Sequence, residues 1–220
     1  SDLYIRQFSL GIEARLLQGT SATVVLNSEW LGDDLNKGNG NVALDEIHFD
    51  IESTIRVAVG RQTQPFGQFV SDLVTDPMTQ NAYEVKQVGA TLGIRGAWAG
   101  DLSLTAYKGA EQMDQLFQSG LFDTAQIRRE SMTPRNVDSF IGSAQMSPWE
   151  NHLTVFGAWL SEPGYGKRNT SADGGFTFVP PRLPGLAVDL EYIHALSREL
   201  YADQERSYRE GVFSASASYA

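Results

Sequence analysis

Apolar and polar residues alternate in short runs along most of this chain, and that period of two limits what it can fold into. Phe8, Leu10, Ile12, Ala14 and Leu16 interleave with Ser9, Gly11, Glu13 and Arg15, and a Gln18-Gly19-Thr20-Ser21 turn follows. Alternation of this kind gives a strand one apolar and one polar face. The connections have a rhythm too. Short ones are expected at Gln18–Ser21, Glu52-Ser53, Ala99–Asp101, Ser147–Asn151 and Pro180–Gly185, and long polar ones at about 31–41, 61–82, 109–137, 161–173 and 195–210. Antiparallel strands joined in sequence by alternately short and long connections are what an up-and-down barrel in an outer membrane requires. Sheets that cross lipid must close, because an unpaired backbone group in hydrocarbon is costly.

The pattern predicts about eleven strands. The second sets Ala22, Val24 and Leu26 against Thr23, Asn27 and Glu29. The third sets Ile47, Phe49 and Ile51 against Glu46, His48 and Asp50. The fourth sets Ile55, Val57 and Val59 against Arg56, Ala58 and Gly60, and the fifth sets Val88, Ala90, Leu92 and Ile94 against Gln87, Gly89, Thr91 and Arg95. Shorter runs are expected at Leu102–Lys108, Phe140–Met146, Leu153–Leu160, Phe176–Val179, Leu186–His194 and Val212–Tyr219. The run around Val155, Phe156, Ala158 and Trp159 is apolar on both faces.

The polar face carries the charges. Arg15, Arg56 and Arg95 fall on the same side as Glu13, His48, Asp50, Asp189 and Glu191. In a barrel these eight residues would line a water-filled pore, with lipid covering the other face. If the short turns are periplasmic, Trp98 and Trp149 lie at the lower rim and Trp30 and Trp159 at the upper one, as interfacial belts require.

Composition closes off other classes. A formal net charge of −10 is opposite to the basic stripe of a nucleic-acid binder, and the absence of cysteine excludes disulfides and thiolate metal sites. No stretch approaches the roughly 20 apolar residues of a membrane helix. Transmembrane strands hide their hydrophobicity in alternate positions, so mean hydropathy does not decide the question. The first strand precedes a short turn and the last lacks a terminal aromatic residue. The chain therefore reads as a single incomplete barrel domain over 1–220, part of a barrel of roughly 12 to 16 or more strands.

Val57-Ala58-Val59-Gly60-Arg61, then Gln64-Pro65-Phe66-Gly67-Gln68-Phe69, then Ser71-Asp72-Leu73-Val74-Thr75-Asp76-Pro77-Met78-Thr79 form a patterned segment. It resembles the signature of the LbtU-type siderophore porins of Gram-negative outer membranes. Gln87-Val88-Gly89 and Leu104-Thr105-Ala106-Tyr107-Lys108-Gly109 fit its continuation, so the resemblance covers about residues 55–109. The acidic residue that follows this stretch in the family has no clear match beyond Glu84, and the C-terminal half carries no part of the signature. The resemblance implies an outer-membrane barrel that passes ferric siderophores.

The same segment has a physical reading. Pro65 and Gly67 break the strand, and Phe66, Phe69, Leu73 and Val74 are too apolar for a freely solvated loop. The loop is expected to pack on the wall or to fold into the lumen as a constriction formed by Pro65, Phe66, Gly67, Phe69, Asp72 and Asp76. The alternative is a loop in which the aspartates cap local turns.

Other chemistry is sparse. Asp34, Asn36, Asn39 and Glu46 approximate a calcium loop with one residue too many, and a polar, Gly/Asn-rich hairpin loop is the simpler reading. His48, His152 and His194 are too scattered for a metal cluster, and no nucleophile elbow or phosphate loop is present. Residues 109–137 combine apolar and charged side chains, a pattern that fits either a short amphipathic helix over the mouth or a partner contact.

The sequence thus predicts a non-enzymatic outer-membrane porin passing small polar or chelated solutes through a charged lumen. It would be embedded in lipid and lipopolysaccharide and bind no nucleic acid, and a homo-oligomer is one arrangement open to it. Two alternatives stay open: a barrel that sleeves or anchors a partner such as an electron carrier, and a soluble β-sandwich binding module.

Overall fold

In a computed structural model, eleven antiparallel strands form one sheet in which each strand pairs with its neighbours in sequence. The structure describes residues 5–31, 43–68, 86–97, 100–108, 137–150, 152–163, 167–183, 185–200 and 203–219. The strands are β1 (Ile5–Leu17), β2 (Thr20–Leu31), β3 (Ala43–Glu52), β4 (Ile55–Thr63), β5 (Lys86–Ala97), β6 (Gly100–Tyr107), β7 (Ser139–Trp149), β8 (Leu153–Pro163), β9 (Arg168–Phe178), β10 (Leu186–Leu200) and β11 (Asp203–Tyr219). Most reach the 9–11 residues needed to cross a bilayer at a tilt. The sheet is not closed: among the described residues β1 and β11 are its two edges.

Turn chemistry sets the tight connections. Gly19 adopts a positive φ of 71° between β1 and β2, and a Cβ there would lie 2.5 Å from the Glu52 carbonyl oxygen, which only glycine avoids. Glu52 N–H donates to the Gly19 carbonyl at 2.6 Å, tying this turn to the next one. At Ser53, the hydroxyl donates to the Ile55 carbonyl at 2.8 Å.

Three expectations about the connections need correction. Arg168–Phe178 is one strand, where only Phe176–Val179 was expected, so most of the supposed loop at 161–173 belongs to β8 and β9. Likewise β10 and β11 run through most of 195–210 and leave only 201–202 between them. The strict short–long alternation therefore fails in the C-terminal half. The cause is that these strand ends are polar on both faces, as in Arg168-Asn169-Thr170-Ser171, so the period of two that marks a half-apolar strand disappears while the ladder continues.

The register sorts side chains onto two faces. One bears Leu10, Ile12, Ile47, Phe49, Ile51, Val59, Val88, Leu92, Ile94, Leu102, Leu104, Phe140, Met146, Trp159, Tyr192 and Phe213, all exposed large apolar residues. A monomer in water rarely leaves so extensive an apolar surface uncovered. The other face holds the buried groups, polar and apolar alike: Asp50, Gln62, Thr91, Thr105, Ile141, Leu160, Asp173, Asp189, Glu191 and Ile193. The run that looked apolar on both faces resolves here, with Val155 and Trp159 outward and Phe156 and Ala158 inward.

Candidate functional site: the concave face and the segment that crosses it

Inward residues pair in register across successive strands and form rungs. One rung runs Glu52, Arg56, Gly93, Ser103, Ser143, Ala158, Asp173, Ile193, Val212. The adjacent rung runs Arg95, Asp101, Gln145, Phe156, Gly175, Glu191, Ser214. On the other side lies Asp50, Ala58, Thr91, Thr105, Ile141, Leu160, Ser171, Ala195.

All eight residues expected on the polar face lie on this side, but in separate groups. Arg15 and Glu13 pair at 3.3 Å, both exposed on the edge strand β1. His48 Nε2 lies 3.0 Å from Asp50 Oδ2, and Arg56 reaches Asp50 only at 3.8 Å. Arg95 stands 3.7 Å from Glu52 and 3.8 Å from Asp101. Asp189, on β10, accepts from the Thr177 hydroxyl at 2.6 Å and the Ser216 hydroxyl at 3.3 Å. Arg56 and Arg95 thus sit among acids on β3–β6, while a second acidic group stands apart on β9 and β10.

After β4 the chain turns across the concave face. The Gln64 side chain, buried, donates to the carbonyls of Gln62 at 2.9 Å and Gln87 at 2.7 Å, and this anchors the departure point. Pro65 ends the ladder, and Gly67 takes a positive φ of 86°. The Gly67 N–H donates to Asp173 on β9, and the Gln68 N–H donates to Glu191 Oε1 on β10 at 2.7 Å. The Gln68 amide reaches Gln145 Oε1 on β7 at 2.7 Å. Residues 64–68 can span at most about 17 Å when extended. They therefore join walls five and six strands apart in the sheet by running through its interior rather than around it.

Phe66 is fully buried at the centre of this crossing, in a cluster with Tyr107, Ile141, Leu160, Ile193 and Val212. The Tyr107 hydroxyl donates to the Glu162 carboxylate, a short contact between two buried side chains at the long-connection end. Pro65, Phe66 and Gly67 accordingly lie inside the sheet's concavity, whereas Phe69, Asp72 and Asp76 lie outside the described residues. Sequence reading missed Gln64, Gln145, Glu162 and Asp173. Gln64 and Gln145 carried a usable signal, since each sits at or next to an inward position.

Of the calcium candidates, Asp34, Asn36 and Asn39 lie outside the described residues. Glu46 is on β3 and accepts from the Thr63 hydroxyl at 2.8 Å. Among the described residues no group of three or more His, Asp or Glu is placed to hold a metal ion, and no helix is long and apolar enough to cross a membrane. Trp149 and Trp159 are about half exposed, while Trp98, the Trp30 side chain and segment 109–136 lie outside the description.

No family model, curated protein or solved structure matches this chain.

Proposed function

We propose that the chain is the wall of an outer-membrane β-barrel pore of a Gram-negative bacterium, passing small polar solutes through a charged, internally narrowed lumen. The observation that carries this reading is the inversion of ordinary burial. Large apolar side chains cover the outside of the sheet, while the inside holds carboxylates and amides such as Asp50, Gln62, Asp173, Asp189 and Glu191 beside the Phe66 cluster, which suits lipid without and water within. The strand order supports it as well, since nearest-neighbour antiparallel pairing is the up-and-down topology. A soluble sandwich would need a second layer over that apolar face.

Selection in such a pore follows from diameter and wall charge. The crossing segment narrows the lumen, and acids outnumber arginines around it. Ferric siderophores, the solutes implied by the resemblance at 55–109, are large for a lumen divided in this way. The reading therefore favours smaller solutes. The apolar Phe66 cluster supports one alternative, a barrel filled from within that serves as a sleeve or anchor.

The test is single-channel recording of the full-length protein in a planar bilayer. Stepwise currents support a pore, and their block by a ferric siderophore would restore the larger solute. Silence from folded, inserted protein would favour the filled sleeve.

A further inference from the structure

Between Arg56 and Asp173 the shared rung carries only Gly93, Ser103, Ser143 and Ala158. Four small inward residues in succession hollow the wall. A cavity of about 170 Å³ occupies that hollow, with Pro65, Gly67 and Gln68 of the crossing segment among its lining residues. A hollow of this size admits a small solute. The serine hydroxyls, 2.6 Å apart, satisfy each other and make a neutral floor.

Charged side chains stand on opposite sides of the cavity, Arg56, Arg95 and Asp101 on one and Asp173 on the other. Arg56 and Arg95 line it, and their ion pairs with Asp50, Glu52 and Asp101 are all 3.7 Å or longer, beyond hydrogen-bond distance. Asp173 lines it from β9, is only 9% exposed, and has an Oδ1 with no hydrogen-bond partner among the described residues. A buried carboxylate with an unmatched oxygen is costly unless something neutralises it. Phe156 and the amide of Gln145 complete the side wall. Neighbouring strands lie about 4.8 Å apart, so β5 and β9 are separated by about 19 Å along the curved wall. Arg95 and Asp173 extend inward from those strands, and both line this one cavity.

We propose that this cavity binds a small zwitterion of the α-amino acid type. Its carboxylate would be held by Arg56 and Arg95, and its ammonium group by Asp173 beside the face of Phe156. A guanidinium fork suits a carboxylate, and an ammonium group supplies the charge that Asp173 lacks. The assignment rests on the pore reading for its biological meaning, but the binding itself does not require current.

The experiment is titration calorimetry on the full-length protein folded in detergent, with L-alanine, propionate and ethylamine as probes. Folding of every variant is checked by heat-modifiable gel migration. L-alanine is expected to bind saturably and at least about tenfold tighter than either singly charged probe. Asp173→Asn should remove most of the advantage of L-alanine over propionate. Arg95→Gln, at a half-exposed side chain, should remove its advantage over ethylamine. Equal affinities for the three probes, absence of saturable heat with L-alanine, or an unchanged L-alanine affinity in folded Asp173→Asn would overturn the site. Bilayer recording separates the two readings: alanine binding without conductance refutes the pore and keeps the site, while conductance without alanine binding does the reverse.

Discussion

The backbone N–H of Gln68 donates to the Glu191 carboxylate at 2.7 Å across 123 residues of sequence. Through that bond a segment leaving β4 is fastened to β10, on the far side of the sheet's concavity. Strands β4 and β10 are six places apart in an otherwise local topology, so this contact ties together two distant parts of the concave face.

Glu191→Ala should loosen the crossing segment. A hydrogen bond to a charged acceptor contributes about 1.5–3 kcal/mol, and its loss leaves the Gln68 side chain's bond to Gln145 as a remaining tie of that residue. Single-channel records of this variant should show larger or noisier unit conductance than the parent protein. Unchanged conductance and gating would mean that the segment does not limit flow.

Phe66→Ala should destabilise the protein strongly. The ring is fully buried among Tyr107, Ile141, Leu160, Ile193 and Val212, and such truncations cost about 3–5 kcal/mol. Urea unfolding in lipid vesicles, followed by tryptophan fluorescence, measures the difference. A loss below about 1 kcal/mol would show that the cluster collapses around the gap.

How much of this was legible in the sequence varies along the chain. Arg56, Arg95 and Asp50 could be assigned to one face because Val57, Val59, Leu92, Ile94, Phe49 and Ile51 alternate with them without interruption. Asp173 and Glu162 could not, because they are flanked by Ala172 and Gly174 and by Ser161 and Pro163, with no large apolar residue on either side to mark the outward face although the ladder continues. Phe66 announced its own burial, being an aromatic residue between a proline and a glycine in a polar connection. Its partners were hidden, since contacts with β6, β7, β8, β10 and β11 depend on the curvature of the whole sheet rather than on any local pattern.

Leu104→Arg tests the outward face directly. Leu104 is 60% exposed at the middle of β6. A lipid-facing arginine near the bilayer midplane costs about 2–4 kcal/mol, whereas the same change on a water-facing surface is close to neutral. Folding titrations in phosphatidylcholine vesicles should therefore show a loss of about 2 kcal/mol or more. A neutral result would place this face in water and favour a soluble sheet.

The arginines make the last prediction. Arg56 and Arg95 are about half exposed, on adjacent strands, and each stands near acids that outnumber them: Asp50, Glu52 and Asp101. Changing both to glutamine removes two positive charges and leaves the carboxylates in place, so the potential at that level becomes more negative. Cations then concentrate in the lumen and anions are excluded further. Reversal potentials under a potassium chloride gradient should shift toward the potassium equilibrium value in the Arg56→Gln/Arg95→Gln protein, and more strongly at low salt, where screening is weak. The shift should exceed that of Arg15→Gln, because Arg15 is exposed on the edge strand and paired with Glu13 at 3.3 Å. If the double variant and Arg15→Gln moved the reversal potential equally, or neither moved it, the current would not pass the β4–β5 wall, and Arg56 and Arg95 would have no part in selectivity.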